Sequence, residues 1–413
     1  MKKHYIGLDM LRGIGVFAVV NLHSALYYYG GLYDLDMSNP PPIVTVIGLF
    51  LMFAGLFAMI SGMGHHIQFM RKSEAGTSVL KYKITSGLLI LAIGYVYFIF
   101  TGPALINFAD RSLDSSLLVE FISSGRLVGI SMDRLLYVDS LIMIGSNIIL
   151  GSLIASAIYK YIAKKKERAN AFLGSALSLL VLSIIRIPLY DLYLQAIEKN
   201  NTLLVLALNW LVNKNNPILP FLAFGLLGMW LAELVSHRNK NIYKVGLPVA
   251  TSLFLLGIFA YINLPDTMLE RSIDLKWFSI MVAQMGLFTL MIILAMRVYD
   301  KVGVASPAKA GKRPGFLGRF INRFGVAGLT VFFLESILSS ITFRIMRFIN
   351  PAISLSMGQS LLFGFALAIF WGIFLMIWEK SNYKFGLEYF YVRALNKLGK
   401  SAKEDKLRGG VTS

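Results

Sequence analysis

Residues 8–31 read LDMLRGIGVFAVVNLHSALYYYGG. A helix crosses a bilayer with about 20 apolar residues, and this stretch is long and apolar enough. Yet it carries Asp9, Arg12 and His23. On an α-helix, positions eleven apart return to within about 20° of each other and stand ~16 Å apart along the axis. Arg12 and His23 have that spacing, Asp9 falls on the same stripe, and Asn21 falls roughly opposite. Ionisable groups inside spans face the bundle interior or a water-filled path, so the stripe predicts a polar track along one side of the first helix. Blander readings stay open: Arg12 snorkels to headgroups with Asp9 paired to it three residues away, and His23 caps a neighbour's carbonyl.

The same composition continues along the chain. Of 413 residues, 56% are hydrophobic and 15% charged, and the mean hydropathy is +0.65. A soluble protein would carry about one quarter charged residues. Apolar runs of spanning length fall near 6–29, 43–70, 79–101, 135–159, 169–188, 217–236, 244–262, 276–299, 324–346 and 357–379. The expected fold is therefore all-α, a polytopic membrane protein of about ten transmembrane helices. The alternation that marks a membrane β-barrel is absent. Residues 202–212 are apolar but too short to cross.

The absence of cysteine excludes disulfides, zinc–thiolate sites and a cysteine nucleophile. The five histidines are scattered, so no metal site is expected. The net charge of +18 raises nucleic acid as a partner, but no recognition motif or soluble basic domain accompanies it. Topology explains the charge instead. Alternate loops hold most of the 40 Lys and Arg, and such loops stay on the cytoplasmic, anionic face. Both termini are accordingly expected in the cytoplasm. Lys2 and Lys3 resemble the basic start of a signal peptide, but Asp9 and Arg12 interrupt the apolar run and no A-x-A site follows, so the first span is expected to stay.

Expected organisation follows from these runs: eight spans carrying the site over 1–310, a basic cytoplasmic linker over 311–323, two spans and a terminal motif over 324–396, and a disordered tail over 397–413. The outer segment 102–134 is long and mixed, and long ordered loops often cover sites. Other polar residues offer partners for the track. Glu335 sits near mid-membrane and is expected to meet Arg12 or the polar track near His23, the alternative being a protonated Glu on a carbonyl. Asp139 either orients His23 or caps the helix it opens. Arg186, Glu233 and Arg344 lie near span ends, where snorkelling accounts for them. Asn21 and Ser24 suit interhelical hydrogen bonds, and Tyr27, Tyr28 and Tyr29 suit an interfacial belt.

The opening LDMLRGIGVFAVV resembles the shared start of the transmembrane acyltransferase superfamily, which includes the heparan-alpha-glucosaminide N-acetyltransferases and the acyltransferase-3 type proteins. The Arg12-to-His23 spacing resembles the acyltransferase-3 signature. Three further stretches resemble the YeiB-like bacterial and archaeal branch: LFAMISGMGHHIQFMRK with Gly62 and Gly64 in a small-residue kink, FGVAGLTVFFLESILSS through Gly325, Leu329, Thr330 and Ser336, and FGLEYFYVR through Gly386, Glu388 and Arg393. The chain departs from that branch at His23, where Asn is usual, at Glu335, where Gln is usual, and at Leu387, where Pro is usual.

The resemblance implies an acyltransferase in the plasma membrane of a prokaryote. It implies acetyl-CoA or another acyl-CoA as cytoplasmic donor and an extracytoplasmic glycan, lipid or small molecule as acceptor. Such chemistry needs a group that takes the acceptor's proton, and histidine is the usual choice. His23 is the candidate base, or alternatively a nucleophile forming an acyl-imidazole, with Asp9, Arg12, Glu335 and Asp139 as supporting groups. Donor phosphates would be held by Arg12, His65, Arg71, Lys72, Lys81 and Lys83, although the positive-inside rule alone also accounts for the last four. Adjacent His65 and His66 point to different helix faces, so one is expected at the donor and the other at headgroups. A homodimer stays open. The competing reading is a transporter or flippase using the same track. Its usual repeats and paired broken helices are not visible, although Gly62 and Gly64 leave room for a break.

Overall fold

The computed structural model describes residues 4–35, 41–51, 53–74, 79–108, 110–212, 215–237, 242–265, 273–302 and 315–398. The terminal tail from 399 and residues 311–314 of the expected linker lie outside them. In chain order the helices are α1 (Ile6–Tyr27), α2 (Pro42–Leu51), α3 (Ala54–Glu74), α4 (Val79–Val96), α5 (Leu117–Ser124), α6 (Met132–Leu136), α7 (Ser140–Tyr161), α8 (Lys165–Leu182), α9 (Arg186–Glu198), α10 (Thr202–Val212), α11 (Ile218–His237), α12 (Leu247–Asn263), α13 (Leu275–Asp300), α14 (Phe316–Val326), α15 (Gly328–Ile349), α16 (Met357–Trp378) and α17 (Leu387–Leu398). Between α4 and α5 lies one short hairpin, β1 (Leu105–Asn107) antiparallel to β2 (Ser112–Asp114), with Leu105 opposite Asp114.

Among the described residues, nine helical stretches are long and apolar enough to cross a membrane. The chain is an all-α, multi-pass membrane protein. The expected span 43–70 is not one of the nine, because the run breaks between α2 and α3. The inner half of α3 carries His65, His66, Gln68, Arg71 and Lys72, which lowers its hydropathy. The small-residue kink expected there is also absent. Helix α3 runs unbroken past Gly62, and Gly62 serves packing: a Cβ on it would run into the Gly225 carbonyl of α11.

The expected linker 311–323 becomes helical from Phe316. Apolar Phe320 and Phe324 repeat every four residues in α14 and are buried, while Phe316 and Leu317 are exposed. An amphipathic period of this kind favours a helix lying against a neighbour. That neighbour is α1, where the Gly13 and Gly325 backbones approach so closely that a Cβ on Gly325 would meet the Asp9 carbonyl.

Two main apolar cores result, beside two smaller clusters around Tyr193 and around Tyr97. The larger gathers α3, α7, α8, α11 and α13, with α11 almost wholly enclosed. The smaller joins α14, α15 and α16. Helix α1 belongs to both, giving Leu8 and Leu11 to the first and Val16 and Val20 to the second. Its start is fixed by Asp300 at the end of α13, whose two oxygens accept from Ile6 N at 3.0 Å and Gly7 N at 2.7 Å. A carboxylate at a helix N-terminus satisfies otherwise unpaired N–H groups and opposes the helix dipole. The end of the molecule holding Asp9, Lys83 and α14 is called the inner end here, and the end holding the hairpin and α5 the outer end.

Candidate active site

Helix α1 carries the polar stripe from end to end, and the structure gives each of its groups a different partner. At the inner end, Arg12 Nη1 donates to Asp9 Oδ1 at 3.3 Å and to the Gly325 carbonyl at 3.1 Å. Asp9 Oδ2 lies 2.7 Å from His4 Nε2. At the outer end, His23 Nδ1 lies 2.8 Å from Glu335 Oε1 of α15. The His23 side chain is 19% exposed and that of Glu335 1%. In a neutral imidazole facing a carboxylate, Nδ1 carries the proton and donates, which leaves the lone pair on Nε2. Asn21, on the opposite side of α1, faces α16, where its backbone carbonyl packs on Gly364.

The His23–Glu335 pair stands at the edge of a cavity of about 340 Å³. Its walls are α1, α15 and the outer segment. Ser336, Ser339 and Ser340 line it from α15, Tyr27 and Ser24 from α1, and Glu120 from α5. Tyr28 is held there by a 2.9 Å hydrogen bond with Ser340 and a ring contact at 4.4 Å with Phe343. Tyr27 and Tyr28 are thus cavity wall rather than an interfacial belt. The sequence marks Ser336 only as a motif residue and leaves Ser339 and Ser340 unremarked, although the i, i+3, i+4 spacing of the three is the polar stripe of a helix with a wet face.

The outer segment is fastened over this cavity. Buried Arg134 donates to the carbonyls of Phe98 (2.6 Å), Pro103 (3.2 Å) and Asp114, and to Asp114 Oδ1 (3.3 Å). An enclosed guanidinium distributed over several acceptors costs little, because its donors are satisfied. Arg344 donates to the Ile122 carbonyl and so ties α15 to α5.

Asp139, the other candidate partner for His23, caps α7 instead. Its Oδ1 accepts from Ile142 N at 2.8 Å. Glu233 does not reach headgroups either. It is fully buried, with Oε1 2.7 Å from His66 Nε2 and 2.6 Å from the Tyr159 hydroxyl. His66 is therefore part of the α3–α7–α11 interior, fully buried against Glu233. Arg186 is buried too, its Nε donating to the Val212 carbonyl and its guanidinium lying 4.5 Å from the Trp277 ring. In each case a partner on a non-adjacent helix overrides the snorkelling expected from position alone.

A second cluster lies at the inner end. Lys83 is 0% exposed, and its Nζ is 3.2 Å from His65 Nδ1 and donates to Gln68 Oε1 at 2.9 Å. Its partners are an imidazole and an amide, not a carboxylate. Arg12 lies close enough to act electrostatically on His65. Lys72 stacks over the Tyr82 ring at 3.9 Å, while Arg71 flanks it on α3 and exposed Lys81 on α4. Tyr391 of α17 closes against this region through a 2.5 Å hydrogen bond to Ser86, one turn from Lys83. Burial pushes the Tyr391 phenol up to about 12, so it remains neutral there. A buried ammonium held by an imidazole and an amide suits an anionic group such as a phosphate. Among the described residues no three His, Cys, Asp or Glu side chains are grouped to hold a metal.

Beyond α15, Glu388 grips the start of that helix. Its two oxygens accept from Thr330 N at 3.0 Å and Thr330 Oγ1 at 2.5 Å, and Leu387 N donates to Thr330 Oγ1 at 2.8 Å. The late span and terminal motif singled out in the sequence are one contact.

A family model described as heparan-alpha-glucosaminide N-acetyltransferase, catalytic, matches residues 4–262. The match includes His23, the Lys83 cluster and the outer segment, and ends before Glu335. No curated protein matches the chain.

Proposed function

The chain belongs to the heparan-alpha-glucosaminide N-acetyltransferase catalytic family, and from that premise we propose that it transfers an acyl group, acetyl in the first instance, from cytoplasmic acyl-CoA to an extracytoplasmic acceptor. The acceptor supplies a hydroxyl or amine on a sugar, glycolipid or small metabolite. Family membership makes the chain a transmembrane protein of acetyltransferase type. The observation that supports the finer reading is the placement of two unlike sites near opposite ends of α1. The His23–Glu335 pair opens onto a cavity at one end of α1, and a second cluster, Lys83 with His65 and Gln68 and, nearby, Arg12 paired with Asp9, lies towards the other.

The charge and enclosure of the inner cluster fit the phosphates of a CoA donor. Lys83 would bind them as a point charge and Arg12 as a fork of donors, with Arg71, Lys72 and Lys81 around the entrance. The helix rise separates Arg12 from His23 by ~16 Å, a reach suited to an extended pantetheine arm. At the outer end His23 Nε2 takes the proton of the acceptor as its oxygen or nitrogen attacks the thioester carbonyl. The C–O or C–N bond forms, the C–S bond breaks, and the sulfur leaves as thiolate. Glu335 holds the ring and stabilises the imidazolium that forms. Asp9 orients Arg12 and Asp139 builds α7, so neither acts on the reacting atoms. Within the superfamily we place the chain in the YeiB-like branch, supported by the Glu388–Thr330 contact that joins its two late motifs.

Acetyl-CoA binding by calorimetry on purified protein tests the reading. Wild type binds, and Arg12→Ala or Lys83→Ala weakens binding at least tenfold. Folded wild-type protein that takes up no acetyl-CoA overturns it.

A further inference from the structure

The segment around the outer cavity exposes several large apolar side chains among its polar ones, such as Ser123, Ser124 and Arg126. Leu118, Phe121, Leu127, Val128 and Ile130 all lie outside the nine spanning stretches, and all are exposed, Leu127 to 74%. Loops carry polar residues towards water, and exposed contiguous apolar surface marks a binding or membrane-contacting face. Helix α15 repeats the pattern beside them. Glu335, Ser336, Ser339, Ser340 and Phe343 line the cavity, while Ile341, Ile345 and Phe348 point elsewhere and are exposed, Phe348 to 89%. Polar cavity and apolar outer face are thus two sides of one helix about 10 Å across. Arg344 joins that helix to α5 at the carbonyls of Phe121 and Ile122. Arg344 and Arg347 stand at the mouth with Glu120.

The cavity itself is small. Ligand pockets range over roughly 300–1,000 Å³, and at about 340 Å³ this one admits one compact polar head and no long chain. Resting on the acyl-transfer reading above, we propose that the acceptor is a lipid-anchored molecule held with its polar head beside His23 and its hydrocarbon chain outside, along the apolar faces of α5, residues 127–130 and the outer turns of α15. It enters sideways from the outer leaflet. Its hydroxyl or amine loses a proton to His23 and gains the acyl group, while the anchor never leaves the membrane. Arg347 and Arg344 at the mouth suit an anionic linkage between head and chain.

The test needs no prior identity for the acceptor. Inside-out membrane vesicles from the native cells, with and without the chain, receive radiolabelled acetyl-CoA and are then split into organic and aqueous extracts. Label that depends on the chain and enters the organic phase is the expected result. Replacing Leu127 and Ile130 together by Ser lowers that label several-fold and leaves acetyl-CoA binding unchanged. Chain-dependent label in the aqueous phase alone overturns the inference and leaves acyl transfer standing. No chain-dependent label in either phase overturns both. Placement is read separately, because a chain without cysteine accepts a single nitroxide through Leu127→Cys or Val128→Cys. In lipid nanodiscs the label meets dissolved oxygen more than a water-soluble nickel chelate. Free access of the chelate, or protection from both by a second copy, overturns the inference.

Discussion

At His23, an imidazole in a membrane helix depends on a carboxylate 312 positions away in the chain. Glu335→Gln keeps the size of that partner and one acceptor atom, but removes the charge that stabilises the imidazolium. We expect kcat to fall about 100-fold, within the 10²–10⁴ typical of lost acid–base assistance, while the KM for acyl-CoA and the thermal midpoint stay put. A collapse of the midpoint would make Glu335 a structural ion-pair partner instead. His23→Ala should abolish transfer and leave folded protein, checked by size-exclusion profile and turnover together. Helical periodicity in the sequence put His23, Arg12 and Asp9 on one side of α1. It could not choose among Glu335, Asp139 and Arg12 as the contact, because depth in a membrane is legible from hydropathy while the neighbour across a helix interface is not. Glu233 makes the same point in reverse. Its position suggested a snorkelling end, and its partners His66 and Tyr159 come from two other helices. Glu233→Ala removes the acceptor of both and should destabilise by about 1–3 kcal/mol for each stranded polar group, read as a lower midpoint with acetyl-CoA affinity little changed.

At the scale of helices, close crossings decide the geometry. Gly325→Val would push α14 away from the Asp9 backbone and, with it, the carbonyl that receives Arg12. A lower thermal midpoint and weaker acetyl-CoA binding should appear together. Unchanged binding would separate α14 from the donor site. Apolar runs of about 20 residues announced most spans, and their alternating loop charges suggested an orientation. Two places resisted. The break between α2 and α3 follows no Pro or charge in the sequence at 51–54, and α14 hid inside a segment rich in Gly and Arg because its phenylalanine period is only eleven residues long. Glu388 could be read only as a motif, since nothing in the chain between says that it closes on Thr330. Glu388→Ala removes two acceptor contacts from α15, and release of α17 should follow as faster proteolysis after residue 379.

On the scale of the whole molecule, α1 is packed into both cores, so the inner cluster and the outer pair cannot shift independently of it. Synthesis gives this arrangement an order in time. His23 is made 312 residues before Glu335, and at 5–20 residues per second the interval is roughly 15–60 s. For that long the nascent chain holds an inserted α1 whose imidazole has no acid to face. A ribosome halted just before residue 335 leaves a protein that carries all of the family-matched part and yet no completed dyad, so the acid–base pair is assembled only late in translation.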